Sequence, residues 1–150
     1  MDVEIVSSVK YGNYKHFLER AEFFKTITKL SEPRIRRFIN LPKSIKIIMR
    51  PIRGVFGTAA MFKTDTKTHY VVEVDVRQTI DEFCDTLLHE LVHIEQYFEE
   101  RLKLKSERFY SIYEGQKVRV VSNKSAEYND LPWEQEAIKR AARLVNIVYK

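Results

Sequence analysis

His89 and His93 stand four residues apart, with Glu90 directly after the first, inside a stretch whose apolar residues recur at helical spacing. Residues four apart on a helix lie one turn above each other on the same face. Two imidazoles placed this way can reach a single tetrahedral Zn²⁺, and the Glu beside the first can take a proton from metal-bound water. Read this way the segment is a helix with one face open to an ion, the alternative being two histidines exposed on a helix surface. That requirement constrains the chain more than any other feature it carries.

The helix can be argued without the motif. Thr79 and Glu82 have the spacing of a capping box, which opens a helix at Ile80. Ile80, Phe83, Cys84, Leu87, Leu88, Leu91, Ile94, Phe98 and Leu102 then recur at helical spacing, predicting about six turns that end in Arg101-Leu102-Lys103. His89 and His93 project opposite the centre of this stripe, near Gln96 and Glu82, with Leu88, Val92 and Tyr97 beside them. They are expected to line a walled cleft.

A chain of 150 residues with 44 % hydrophobic content suits one domain with a real core. No apolar run approaches the roughly 20 residues needed to cross a bilayer, so no membrane partner is expected. Met1-Asp2-Val3-Glu4 has neither the basic start nor the apolar core of an export signal, and a cytoplasmic setting is expected. The single cysteine, Cys84, falls on the inner face of the motif helix and reads as a small core residue. A net charge of +5 permits acidic partners without requiring them.

The remaining pattern predicts a helix from about Lys15 to Leu30 and a short second one after Pro33, stopped near Pro42. Strands follow at Ser44 to Arg50, Gly57 to Phe62 and His69 to Val76, and the polar run from Lys63 to Lys67 turns a hairpin. After the motif helix, Phe109 to Tyr113 and Val118 to Val121 flank Glu114-Gly115-Gln116 as a second hairpin, and Pro132 opens a last helix to about Tyr149. This order is α+β, a single domain over residues 1–150 with a short mixed sheet, a central motif helix and a C-terminal helix.

A catalytic zinc site normally has three protein ligands and an open position. No histidine follows His93, and Glu99 occupies the place of a third histidine six residues on. A carboxylate on the last helix remains, and Glu134 and Glu136 are the two candidates. Glu134 projects onto the inward stripe of Ala137, Ile138, Ala141, Leu144, Val145 and Val148, where a metal would compensate its charge. Glu136 lies roughly 200° away among Lys139, Arg140 and Arg143, and either residue could instead merely favour the helix N-terminus electrostatically.

His-Glu-Leu-Val-His followed by Glu-x-x-Ala-x-x-x-Ala resembles the gluzincin-type metallopeptidases, specifically the minimal gluzincins and the peptidase domain of the ImmA/IrrE family. The resemblance covers about Tyr70 to Ala141. It implies a zincin-like fold and zinc-dependent hydrolysis of peptide bonds, with Glu90 activating water and a C-terminal glutamate helix completing the site. Where many relatives follow the Ala with Asp or Asn, this chain has Ile138. The resemblance also implies that Tyr70 to Val76 is the edge strand bordering the cleft, beside which a peptide or protein substrate would pair through its main chain, the alternative being that another part of the chain covers it.

Tyr110, Tyr113 and Tyr128 are candidate oxyanion donors, and Gln96 could orient a ligand or water. Two other classes of function fit the same residues. One is a zinc-stabilised binding module without efficient turnover. The other is a SprT-like protease associated with nucleic acid, drawn from Arg34-Ile35-Arg36-Arg37 and the scattered lysines.

Overall fold

Alternating apolar residues decide the pairing of the larger sheet. The computed structural model describes residues 1–6, 14–104, 110–120 and 128–150. In it β1 (Asp2–Ile5), β2 (Lys46–Met49), β3 (Gly57–Lys63) and β4 (Thr68–Val74) lie in the order β1-β2-β4-β3. β1 and β2 pair in parallel, as do β2 and β4, whereas β3 runs antiparallel to β4. The register sets Val3 against Ile47, Ile47 against Val72, and Met49 against Val74, and all of these side chains are buried. A slip of one residue would turn every one of them to the other face, so their burial fixes the register.

A single helix, α1 (Tyr14–Phe38), joins β1 to β2 where two helices were expected. Pro33 sits inside it. The buried face runs through Ala21, Phe24, Thr28, Ser31 and Ile35 without a break, while Pro33 falls on the exposed side. Its missing N–H therefore costs one hydrogen bond at a solvent-facing position, and the packing on the other face carries the helix through. Arg36 binds Glu32 and the carbonyls of Pro42 and Lys43, and Arg34 reaches the Val148 carbonyl. These contacts give part of the basic segment a role in closing the end of α1.

α2 (Ile80–Phe98) lies against the buried face of the sheet, where Phe83 stacks on Phe24 of α1 with ring centroids 4.0 Å apart. Its capping box is present: the Glu82 N–H donates to Thr79 Oγ1, and the Thr79 N–H donates to the Glu82 carboxylate. The helix ends about one turn before the expected stop. Glu100 takes a positive φ of 58°, the Arg101 N–H bonds back to the Gln96 carbonyl, and the Glu100 N–H bonds to that of Tyr97. This is a Schellman closure with Glu where Gly is usual. Leu102, read as helical, instead begins a strand, and Ile80 and Phe98 at the helix ends are exposed.

The second sheet is antiparallel, with β5 (Leu102–Leu104), β6 (Tyr110–Tyr113) and β7 (Gln116–Arg119) in that order. Glu114 and Gly115 both have positive φ, as a two-residue turn matched to strand twist requires. Phe109 and Val121, also read as strand residues, lie outside the described residues. Leu102, Leu131 and Trp133 form a small core beneath this sheet with Tyr97, Tyr113, Val118 and Val120.

α3 (Pro132–Val148) opens on Pro132 and buries Ala137, Ala141, Leu144 and Val148, while Ile138 is turned out to solvent. The result is a small α+β fold with a mixed sheet, as expected. Among the described residues no helix is long and apolar enough to cross a membrane.

Candidate metal centre

The small side chains of Ala137 and Ala141, both fully buried, let α3 lie close against α2. Glu134, in the first turn of α3 and only 3 % exposed, is thereby carried to the two histidines. Its Oε2 lies 3.0 Å from His89 Nε2 and its Oε1 lies 3.0 Å from His93 Nε2. The two Nε2 atoms are 3.2 Å apart. Among the described residues this is the one group of three metal-ligating side chains whose donor atoms converge, all within 4.8 Å of one another.

The electrostatics follow from that proximity. Burial alone would raise the Glu134 carboxyl, but hydrogen bonds from His89, His93 and Tyr128 outweigh it and hold the group far below the usual carboxylate range. Burial would lower the His93 imidazole, yet Glu134 beside it leaves it raised. Glu90, nearly enclosed, is raised by burial, with both histidines working against that shift. A carboxylate and two imidazoles with Nε2 aimed at one point form an N₂O donor set, which suits a divalent ion such as zinc. All three residues line a cleft, on which a held ion would keep an open position.

Glu136 does not join them. Its side chain points away toward a cluster gathered from four elements. Arg101 binds it with both terminal nitrogens at 2.8 and 3.0 Å, Arg140 at 3.1 Å and Gln96 at 3.1 Å, and Tyr113 donates its phenol. Burial would raise this carboxyl too, but Arg101, Tyr113 and Gln96 hold it down to about 2. It was expected among Lys139, Arg140 and Arg143 on a solvated face. Only Arg140 of those three binds it. The strongest partner, Arg101, was hidden because it was read as the end of α2.

Gln96 supports His93 directly, with Oε1 2.8 Å from the ring Nδ1. Of the three tyrosines singled out, Tyr128 lies at the site and bonds Glu134. Tyr113 is held by Glu136, and Tyr110 lies under the Lys117 ammonium at 4.3 Å.

His89, Glu90, His93 and Glu134 open on a cleft of about 480 Å³. Val55, Gly57, Thr58 and Ala59 form one wall, and Tyr97, Tyr128, Leu131 and Trp133 another. The expectation that Tyr70 to Val76 is the edge strand is corrected here. β4 is paired on both sides, by β2 and β3, and the edge beside the cleft is β3. The expected hairpin places β3 on one side of β4, and β2 takes the other.

Gly57 sets how closely that edge approaches α2. A Cβ there would lie 2.7 Å from Thr86 Cγ2, 3.0 Å from Glu90 Cγ and 3.1 Å from the Glu73 carbonyl. Gly57→Ala is therefore expected to lower stability by about 1–3 kcal/mol, the usual range for overpacking. A urea midpoint unchanged from wild type would show that β3 moves away freely.

No protein-family model, no curated protein and no solved structure matches this chain.

Proposed function

We propose that the chain is a zinc-dependent metallopeptidase that hydrolyses peptide bonds in extended segments of protein. The observation carrying this reading is the convergence of His89, His93 and Glu134 at one point in a cleft that also holds Glu90 and is bordered by a strand edge. Three ligands with an open fourth position are the pattern of catalytic rather than structural zinc. Zinc at this point would supply Lewis acidity, which both polarises a carbonyl and acidifies water.

The chain's own groups account for the rest. Among the described residues the outer side of β3 pairs with no other strand, so a peptide lying along it would be held extended with little regard to its side chains. Glu90, whose burial raises its proton affinity and so makes its carboxylate a stronger base, takes the proton from the attacking water and returns it to the leaving amine. Tyr128 lines the cleft and gives its O–H to Glu134, and were that carboxylate engaged by a metal the same O–H could turn to the developing oxyanion.

The test is cleavage of an unfolded protein such as casein. Activity is expected to vanish with a chelator and to return with stoichiometric zinc. Zinc binding without cleavage of any unfolded protein would overturn the peptidase reading in favour of a zinc-stabilised binding module.

A further inference from the structure

Gln96 is wholly buried, and its amide has polar neighbours at both ends. Nε2 lies 3.0 Å from the Trp133 carbonyl and 3.1 Å from Glu136 Oε1, while Oε1 lies 2.8 Å from His93 Nδ1. A carbonyl and a carboxylate can only accept, so the nitrogen of the amide must face them. The amide oxygen must then face His93, and since that oxygen also only accepts, the ring must carry its proton on Nδ1. Nε2 is left facing Glu134 Oε1 at 3.0 Å, to which it donates here, and a metal held between the two would take its lone pair in place of that proton.

Glu136 is itself immobilised. Arg101 from the turn after α2 grips both its oxygens, Arg140 from α3 adds a third charged contact, and Tyr113 from β6 a fourth bond. Arg101 and Arg140 are tied in turn to buried Glu95 on α2. We propose that Gln96 and Glu136 are positioning residues that hold a proton on His93 Nδ1 and so keep Nε2 turned to the metal point, and that through Arg101 and Tyr113 they couple the β5–β7 sheet to metal affinity. This rests on the reading of the site as a metal centre. It assigns the support of the ligand helix to Gln96 on α2 and to Glu136 inside the Glu-x-x-Ala segment, whereas Ile138 after the Ala, turned to solvent, offers none.

The decisive variant is Gln96→Met, which keeps length and burial but removes both hydrogen-bonding ends. Long-range proton–nitrogen NMR of the histidine rings reports which nitrogen holds the proton. In wild-type protein His93 Nδ1 is expected to carry a proton donated to Gln96 Oε1, and in Gln96→Met that hydrogen-bond signature should be lost. Zinc affinity by chelator competition should fall about 10–100-fold, the usual cost of losing a group that orients a ligand. Glu136→Gln leaves the Trp133 carbonyl in place and should fall several-fold, with its circular dichroism unchanged, and it carries the test should Gln96→Met not fold. An unchanged ring signature would overturn the proposal even if affinity falls, because Gln96 would then act only by packing. Unchanged affinity in the variants would overturn it as well. If wild-type protein takes up no zinc, the functional reading fails by itself, and the ring signature of the metal-free protein still decides whether Gln96 holds a proton on Nδ1.

Discussion

Replacing Glu90 with Gln is expected to leave zinc bound and the fold intact while lowering peptide cleavage by about 10²–10⁴-fold, the range for losing a general base. The amide keeps the shape of the side chain but cannot accept the proton. Stability should be retained or increased, because a nearly enclosed carboxylate is exchanged for a neutral group and the raised proton affinity of Glu90 marks its charge as costly there. Turnover numbers, zinc content and thermal midpoint measured on one preparation separate these effects. Wild-type cleavage by Glu90→Gln would remove Glu90 from the mechanism.

The second large effect is expected at Glu134. Glu134→Ala removes the one carboxylate that faces both imidazoles, so zinc affinity should fall by more than the roughly 100-fold at which the loss of an outer supporting group tops out. Glu136→Ala should fall between that loss and none. It cannot behave as an ordinary surface change, because it strips Arg101, Arg140 and Tyr113 of a shared acceptor and frees Gln96 at one end. Zinc titrations of the two single mutants rank them, and stronger binding in Glu134→Ala than in Glu136→Ala would reverse the assignment.

What the sequence could show followed from periodicity and local chemistry. Thr79 and Glu82 announced the start of α2, and the projection of α3 separated Glu134 from Glu136, because both depend only on residues a turn or two apart. The end of α2 was not legible. Leu102 continues the apolar stripe, and nothing local warns that Glu100 will adopt the left-handed conformation and turn Arg101 back toward Glu136. Pro33 misled in the opposite sense: its local signal is to break a helix, and the face formed by Thr28, Ser31 and Ile35 overrides it through tertiary packing.

The edge of the sheet was illegible for a related reason. Tyr70 to Val74 alternates well, but which of its two sides meets solvent depends on where β2 and β3 pair, a property of topology and not of the segment. Gly57 hinted at it, since a glycine opening a strand fits a close backbone approach, and here it admits Thr86 and Glu90.

The account stands most directly on the metal itself. Elemental analysis of protein purified without added metal, dialysed and then reloaded, should give close to one zinc per chain. The His89→Ala, His93→Ala double mutant, prepared in parallel and still folded, should give close to none. Absence of zinc from the reloaded wild-type protein, or full zinc occupancy in the double mutant, would contradict the assignment of His89, His93 and Glu134 as a metal centre.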